Sequence, residues 1–197
     1  MAIPVPVQTR ATPVTPSSLE RFNTAPAEEA VATLLTCLNS GHWAERLTSH
    51  RPYPDLPSLL AAADEAAYDL SPDDLAQALA AETLPPLPED TYAAAYTALS
   101  AAYAAYEARF GHVFAICLDG MASDEALNHV LAGIRSRLAN DPDEERLIAL
   151  EELRLLARGR LTRIAGGRER DAAGRAAQAG PGTGDPLPAN PPGPPPR

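Results

Sequence analysis

Four histidines, two cysteines, two glutamates beside a proline turn and a stripe of tyrosines are the residues of this chain that could do chemistry. His42, His50, His112 and His129 stand singly. No His-x-x-x-His pair and no closely spaced cysteines offer the ligand spacing of a zinc site. There is no Gly-x-Gly-x-x-Gly or P-loop pattern to cradle a phosphate, and no Gly-x-Ser-x-Gly turn to present a nucleophilic serine. His112 adjoins an apolar run and can act as an acid near neutral pH, or it is a helix-end histidine favoured by the dipole. Glu82 and Glu89 flank "TLPPLP" and can each supply a carboxylate, or simply end helices. Cys37 and Cys117 sit in apolar surroundings, either as reactive or disulfide-forming thiols or as small buried hydrophobes in a reducing compartment. Tyr92, Tyr96, Leu99, Tyr103, Tyr106 and Phe110 fall on one helical stripe. Such a stripe is a stacking platform for a planar ligand, or a core face with hydroxyls at its rim.

Composition narrows the partners. The 197 residues carry a net charge of −10 and no lysine, so every basic side chain is arginine. An acidic chain lacks the basic patch that nucleic-acid phosphates require, so no nucleic-acid partner is expected. No window approaches the roughly 20 apolar residues of a membrane-spanning helix, and the N-terminus lacks the pattern of a signal peptide. A cytoplasmic protein without a membrane partner is the expectation.

The elements that must position these residues read as helices. Residues 1–19 are Pro/Thr/Ser-rich and residues 166–197 Gly/Pro/Arg-rich, and both are expected to be disordered tails. Between them, residues 20–165 read as one all-α domain, a bundle of about seven helices. Thr24 is the expected N-cap of the first, with Glu28 and Glu29 at the positive end of its dipole. Asp55 is expected to cap the helix of Leu59 and Leu60. Ser71, with Pro72 at the first turn and Asp74 three residues on, is expected to cap the next. Ser123 is the expected cap of the sixth helix, and "NDPDEE" opens the seventh. One segment breaks the pattern. After Gly111, the run 113–118 (VFAICL) is apolar with no helical period, and it is predicted to be a short extended strip.

The order of local motifs adds to this reading. "RFNTAPAEEAVATLLTCLNSGHWAERL", "RPYPD", "YEARFGHVFAICL", "IRSRLANDPDEERLIALEEL" and "RGRL" occur in sequence. Together they resemble the 2-oxo-4-hydroxy-4-carboxy-5-ureidoimidazoline (OHCU) decarboxylase family of urate breakdown, over most of residues 20–165. The resemblance implies an all-α bundle, commonly homodimeric, that decarboxylates OHCU to (S)-allantoin in purine catabolism with no metal or organic cofactor. It implies that Arg160, in "RGRL", holds the substrate's carboxylate or carbonyl groups. It also implies that the main chain of the strip, at Phe114, Ile116 and Cys117, faces a small flat ureide. The family's His-Pro pair has no counterpart here; its histidine position falls near Glu82. The loop that should carry the family's glutamate motif is shortened, so the acid would come from other groups, for which His112, Glu82 and Glu89 are the candidates. A member retained for ligand or protein binding, without turnover, is the alternative expectation.

Overall fold

The structure, a computed structural model, describes residues 17–85 and 93–178, with side chains in 17–85, 97–122 and 125–166. Eight helices and no strand are found among the described residues. They are α1 (Ser18–Thr24), α2 (Ala27–Leu35), α3 (Gly41–Ser49), α4 (Leu56–Tyr68), α5 (Pro72–Ala81), α6 (Ala93–Phe110), α7 (Ser123–Arg137) and α8 (Pro142–Gln178). None is long and apolar enough to cross a membrane. The all-α expectation holds, with one helix more than the seven anticipated. Tyr92 and Glu89 lie outside the described residues.

Local capping chemistry accounts for most helix starts. Asp55 accepts from the Ser58 N–H at 2.8 Å. Ser71 and Asp74 form a reciprocal capping box, with Pro72 in the first turn where a missing N–H costs nothing. Two expected caps are displaced. Thr24 is the last residue of α1, and its hydroxyl donates back to the Glu20 carbonyl at 2.9 Å, so Pro26 precedes α2 instead. The additional helix α1 is capped by Ser17, which accepts from the Glu20 N–H. Ser123 is the first helical residue of α7, with Ala122 in the cap position.

Burial divides the chain into two cores that share one strip. In the larger, Leu34, Trp43, Leu47 and Leu59 from α2–α4 meet Ala149, Leu153, Ala157 and Leu161 of α8. Those four α8 residues recur every fourth position, and α4 makes the broadest helix contact with this face. The Trp43 indole N–H donates to the Ala63 carbonyl at 3.0 Å, so the largest core side chain leaves no buried polar atom unpaired. In the smaller core, Leu99, Tyr103 and Tyr106 of α6 meet Val130 and Ile134 of α7. Phe114 and Ile116 of the strip belong to this second core, whereas Ala115 between them belongs to the first. Successive side chains of an extended chain point to opposite sides. A helix would have turned these residues to one side of its axis or the other by steps of 100°. The apolar, non-helical run therefore serves as the seam that both cores pack against.

The described part of the tyrosine stripe is a core face. Tyr103 and Tyr106 are buried, and Tyr106 packs edge-on against Phe114 at 5.0 Å. Tyr103 differs from its neighbour because its buried hydroxyl has no hydrogen-bond partner among the described residues. Burial pushes this phenol up to about 12. Removing an unpaired buried hydroxyl relieves its desolvation cost, so Tyr103→Phe is expected to leave stability unchanged or raise it by up to about 1 kcal/mol. Chemical denaturation checks this; a clear loss would mean that the hydroxyl has a partner in solution.

Candidate functional site

Two glycines delimit the strip. Gly111 ends α6 at φ +77°, its N–H donating to the Glu107 carbonyl at 2.8 Å, and Gly120 turns the chain at φ +80°. A side chain at either would be strained. Between them the main chain is held by side chains rather than by a neighbouring strand. Arg137 Nη1 donates to the Ala115 carbonyl at 2.7 Å, and the Cys117 N–H donates to Glu152 Oε2 at 2.7 Å. His112 Nδ1 contacts the Val113 carbonyl at 3.0 Å. The edge carrying residues 113, 115 and 117 is thus anchored. Among the described residues, the main-chain groups of Phe114 and Ile116 have no intrachain partner. Phe114 and Ile116 are themselves buried, at 1% and 5% exposed, and the Cys117 N–H is engaged by Glu152.

The anchor at Ala115 is part of a buried polar network. Arg137 Nε and Nη2 donate to Glu145 Oε1 at 2.8 and 2.6 Å, and Nη2 also donates to the Tyr106 hydroxyl at 3.0 Å. The Tyr106 hydroxyl in turn donates to Glu145, and Asn140 Nδ2 donates to Glu145 Oε2 at 2.9 Å. The guanidinium lies 4.5 Å over the Phe114 ring. Glu145 is 1% exposed and Arg137 5%. Burial first, and then the hydrogen bond to Glu145, raise the Tyr106 phenol. The sequence reading missed this pair. Its trace is "RLANDPDEE", an arginine and a glutamate facing each other across the α7–α8 turn.

Arg160 projects from α8 toward α2 and α5. Its Nη1 donates to the Cys37 carbonyl at 2.9 Å, and Nη1 and Nη2 grip the two oxygens of Glu82 at 2.7 Å each. Glu82 is positioned because α5 stops at Ala81, leaving Glu82 extended at ψ 153°. The Arg160 side chain is 28% exposed and Glu82 only 7%. The hydrogen bond to Glu82 raises the arginine further, and Asp119 adds to it electrostatically. Three of the five guanidinium N–H groups are engaged. The side edge, formed by Nε–H and the second Nη2–H, has no partner among the described residues.

One helical step from Arg160, α8 and the end of the strip enclose a cavity of about 550 Å³, lined by Cys117, Asp119, Gly120, Arg158, Gly159 and Arg163, among others. Asp119 pairs with Arg163 at 3.1 Å, and its carboxylate lies directly on Gly159. A Cβ at residue 159 would overlap that carboxylate. Gly159→Ala should therefore evict Asp119 while gaining about 1 kcal/mol of helix propensity. The exposed ion pair that is lost contributes roughly 0–1 kcal/mol. Thermal melts are expected to show an unchanged or higher midpoint, with Asp119→Ala then having no further effect. A marked loss of stability would show that Asp119 cannot leave.

Both cysteines are free thiols, raised first by burial, with Cys37 buried and Cys117 half-buried. No three His, Cys, Asp or Glu side chains converge as a metal-binding group among the described residues. His112 is not brought to Arg160. It lines a separate cavity with Pro142 and Arg146 at the start of α8. Arg146 and Arg160 are about 21 Å apart along that helix, at about 1.5 Å per residue.

Comparison with known proteins agrees with this architecture. Two crystal structures share the fold: one of an (S)-allantoin synthase, TM-score 0.60 at 22% identity, covering 74% of this chain and 53% of that one. The other is of an OHCU decarboxylase in the presence of (S)-allantoin, TM-score 0.58 at 20% identity, covering 72% of this chain and 99% of that one. The present chain thus spans about half the length of the allantoin synthase. No curated protein sequence matched. The OHCU decarboxylase family pattern matches residues 23–93 and 86–162, two segments that overlap over 86–93. With most of the helical domain matched, the chain belongs to the OHCU decarboxylase family.

Proposed function

We propose that the protein binds a carboxylated ureide of the OHCU class at Arg160 and releases its carboxylate as CO₂, forming (S)-allantoin or the corresponding product of a related ureide. The observation that carries this reading is the unpaired side edge of the Arg160 guanidinium. That edge is a two-pronged donor matched to a carboxylate, and the Glu82 pair and the Cys37 carbonyl hold it in a fixed orientation. The partnerless main-chain groups of Phe114 and Ile116 suit the alternating N–H and C=O groups of a flat ureide.

Decarboxylation breaks the bond from the ring to the carboxylate and leaves carbanion character on the ring system. A proton must then be added to carbon on one face. Glu82, near the position of the family's histidine and in contact with Arg160, is the group we assign to relay that proton from water, since the carboxylate gripped by Arg160 holds none of its own. The same contact supports a second reading, a binding protein without turnover, since the Glu82 carboxylate already fills the end of the guanidinium. Freshly generated OHCU, followed by circular dichroism with and without the protein, separates them. Faster formation of optically active allantoin supports the enzyme. Saturable (S)-allantoin binding with an unchanged rate supports the binding protein, and neither result leaves both readings without support.

A further inference from the structure

An arginine that borders a cavity without an acidic partner points to a second site. Of the described arginines on α6, α7 and α8, Arg137, Arg146, Arg154, Arg158, Arg160 and Arg163 each pair with a carboxylate. Two do not: Arg135, exposed on α7, and Arg109, near the end of α6, which borders a cavity. Arg109 Nη2 donates to the Asn140 carbonyl at 2.8 Å, and its guanidinium lies 5.3 Å over the Phe110 ring. In a chain of net charge −10, an arginine without a carboxylate partner beside a cavity calls for an explanation.

That cavity, of about 380 Å³, lies between α5, the end of α6 and the first turns of α8. Its size is within the roughly 300–1,000 Å³ of small-molecule sites. Its walls have two characters. Leu75, Leu79 and Phe110 supply an apolar floor, and Arg109, Arg146 and His112 supply the polar rim. Arg146 pairs with Asp143 at 2.7 Å, but that carboxylate side chain is 88% exposed. An ion pair so exposed to water is readily exchanged for another anion. His112 Nδ1 meets the Val113 carbonyl, which can only accept, so the ring carries its proton there.

We propose that this cavity is a second binding site, for a small carboxylate with an apolar body, such as an aryl- or branched-alkyl carboxylate. The body would lie on Leu75, Leu79 and Phe110, and the carboxylate would be held between Arg109 and Arg146. The site is separate from Arg160, so it stands or falls apart from the ureide reading.

Titration calorimetry of the full chain with 3-phenylpropionate tests it, with 3-phenylpropanamide and inorganic phosphate as controls. The carboxylate is expected to bind with submillimolar affinity, and the neutral amide and phosphate about tenfold more weakly or worse, the scale of one charge-assisted contact. Arg109→Gln should weaken 3-phenylpropionate to the level of the amide without changing the helical signal or thermal midpoint. Arg160→Ala should leave its affinity unchanged. Equal binding of acid and amide would reduce the site to an apolar groove, and phosphate binding as tightly would reduce it to a charged surface. Either result overturns the proposal. So would an unaffected Arg109→Gln variant, loss of binding in Arg160→Ala, or no binding of 3-phenylpropionate, benzoate or isovalerate.

Discussion

Arg137→Ala is expected to destabilise the protein by about 3–5 kcal/mol, the usual result of removing one partner of a buried ion pair. The reason is what remains rather than what is lost. Glu145 is 1% exposed, and without the guanidinium its charge keeps only Asn140 and the Tyr106 hydroxyl as side-chain partners. The Ala115 carbonyl, buried at the seam of the two cores, loses its donor as well. Arg137→Lys should recover only a fraction. The native side chain reaches Glu145, Tyr106 and Ala115 from three separate nitrogens of one rigid plane, which an ammonium cannot reproduce. Replacing the pair by apolar residues, as in Arg137→Met with Glu145→Leu, should restore much of the loss, because no charge is then left buried. Urea unfolding measures all three. Hydrogen exchange should show the amides of 113–118 opening first in Arg137→Ala, since the strip has few other anchors. A loss below about 1 kcal/mol would mean that the pair is solvated in the folded protein.

Much of the fold was legible because its signals are local. A capping residue and its N–H lie within three positions, as at Asp55 and at the Ser71–Asp74 box. The lack of helical period at 113–118 is also local, and it marked the strip correctly. Its purpose was not legible, because the assignment of Ala115 to one core and of Phe114 and Ile116 to the other depends on helices distant in sequence. The site shows the same limit. Arg160 and Glu82 were each singled out, but their pairing spans 78 positions and rests on where α5 stops. His112 adjoins the strip in sequence, yet the Gly111 turn sends its ring into another cavity. Thr24 failed as a cap because a threonine hydroxyl can bond back four residues as readily as forward. The trace of Arg137 in "RLANDPDEE" is weak, since nothing in the sequence distinguishes a buried arginine from the exposed ones around it.

Arg160→Ala is expected to lower kcat/KM for OHCU, or the affinity for (S)-allantoin, by roughly ten- to a hundredfold, about 1.5–3 kcal/mol for a charge-assisted contact. An arginine in a wet pocket ordinarily contributes little to folding. The Glu82 pair changes that expectation. Glu82 is 7% exposed, so removing its partner should also cost about 1–3 kcal/mol of stability, less than for Arg137 because Arg160 itself is 28% exposed. A fall in activity could then reflect partial unfolding, and Glu82→Gln separates the two effects. The amide keeps the shape of the carboxyl group and removes its charge, releasing the end of the guanidinium for an anion. If Glu82 carries the proton, Glu82→Gln abolishes turnover while ligand affinity is kept or increased. If the protein only binds, the same change tightens binding and there is no turnover to lose. Adding Glu82→Gln to Arg160→Ala should restore stability without restoring binding, because the buried charge is gone but the fork is still missing. Arg160→Lys should recover charge without the two-pronged geometry, and so only part of the affinity. An Arg160→Ala variant that folds, turns over OHCU and binds (S)-allantoin as the native chain does would remove Arg160 from the site altogether.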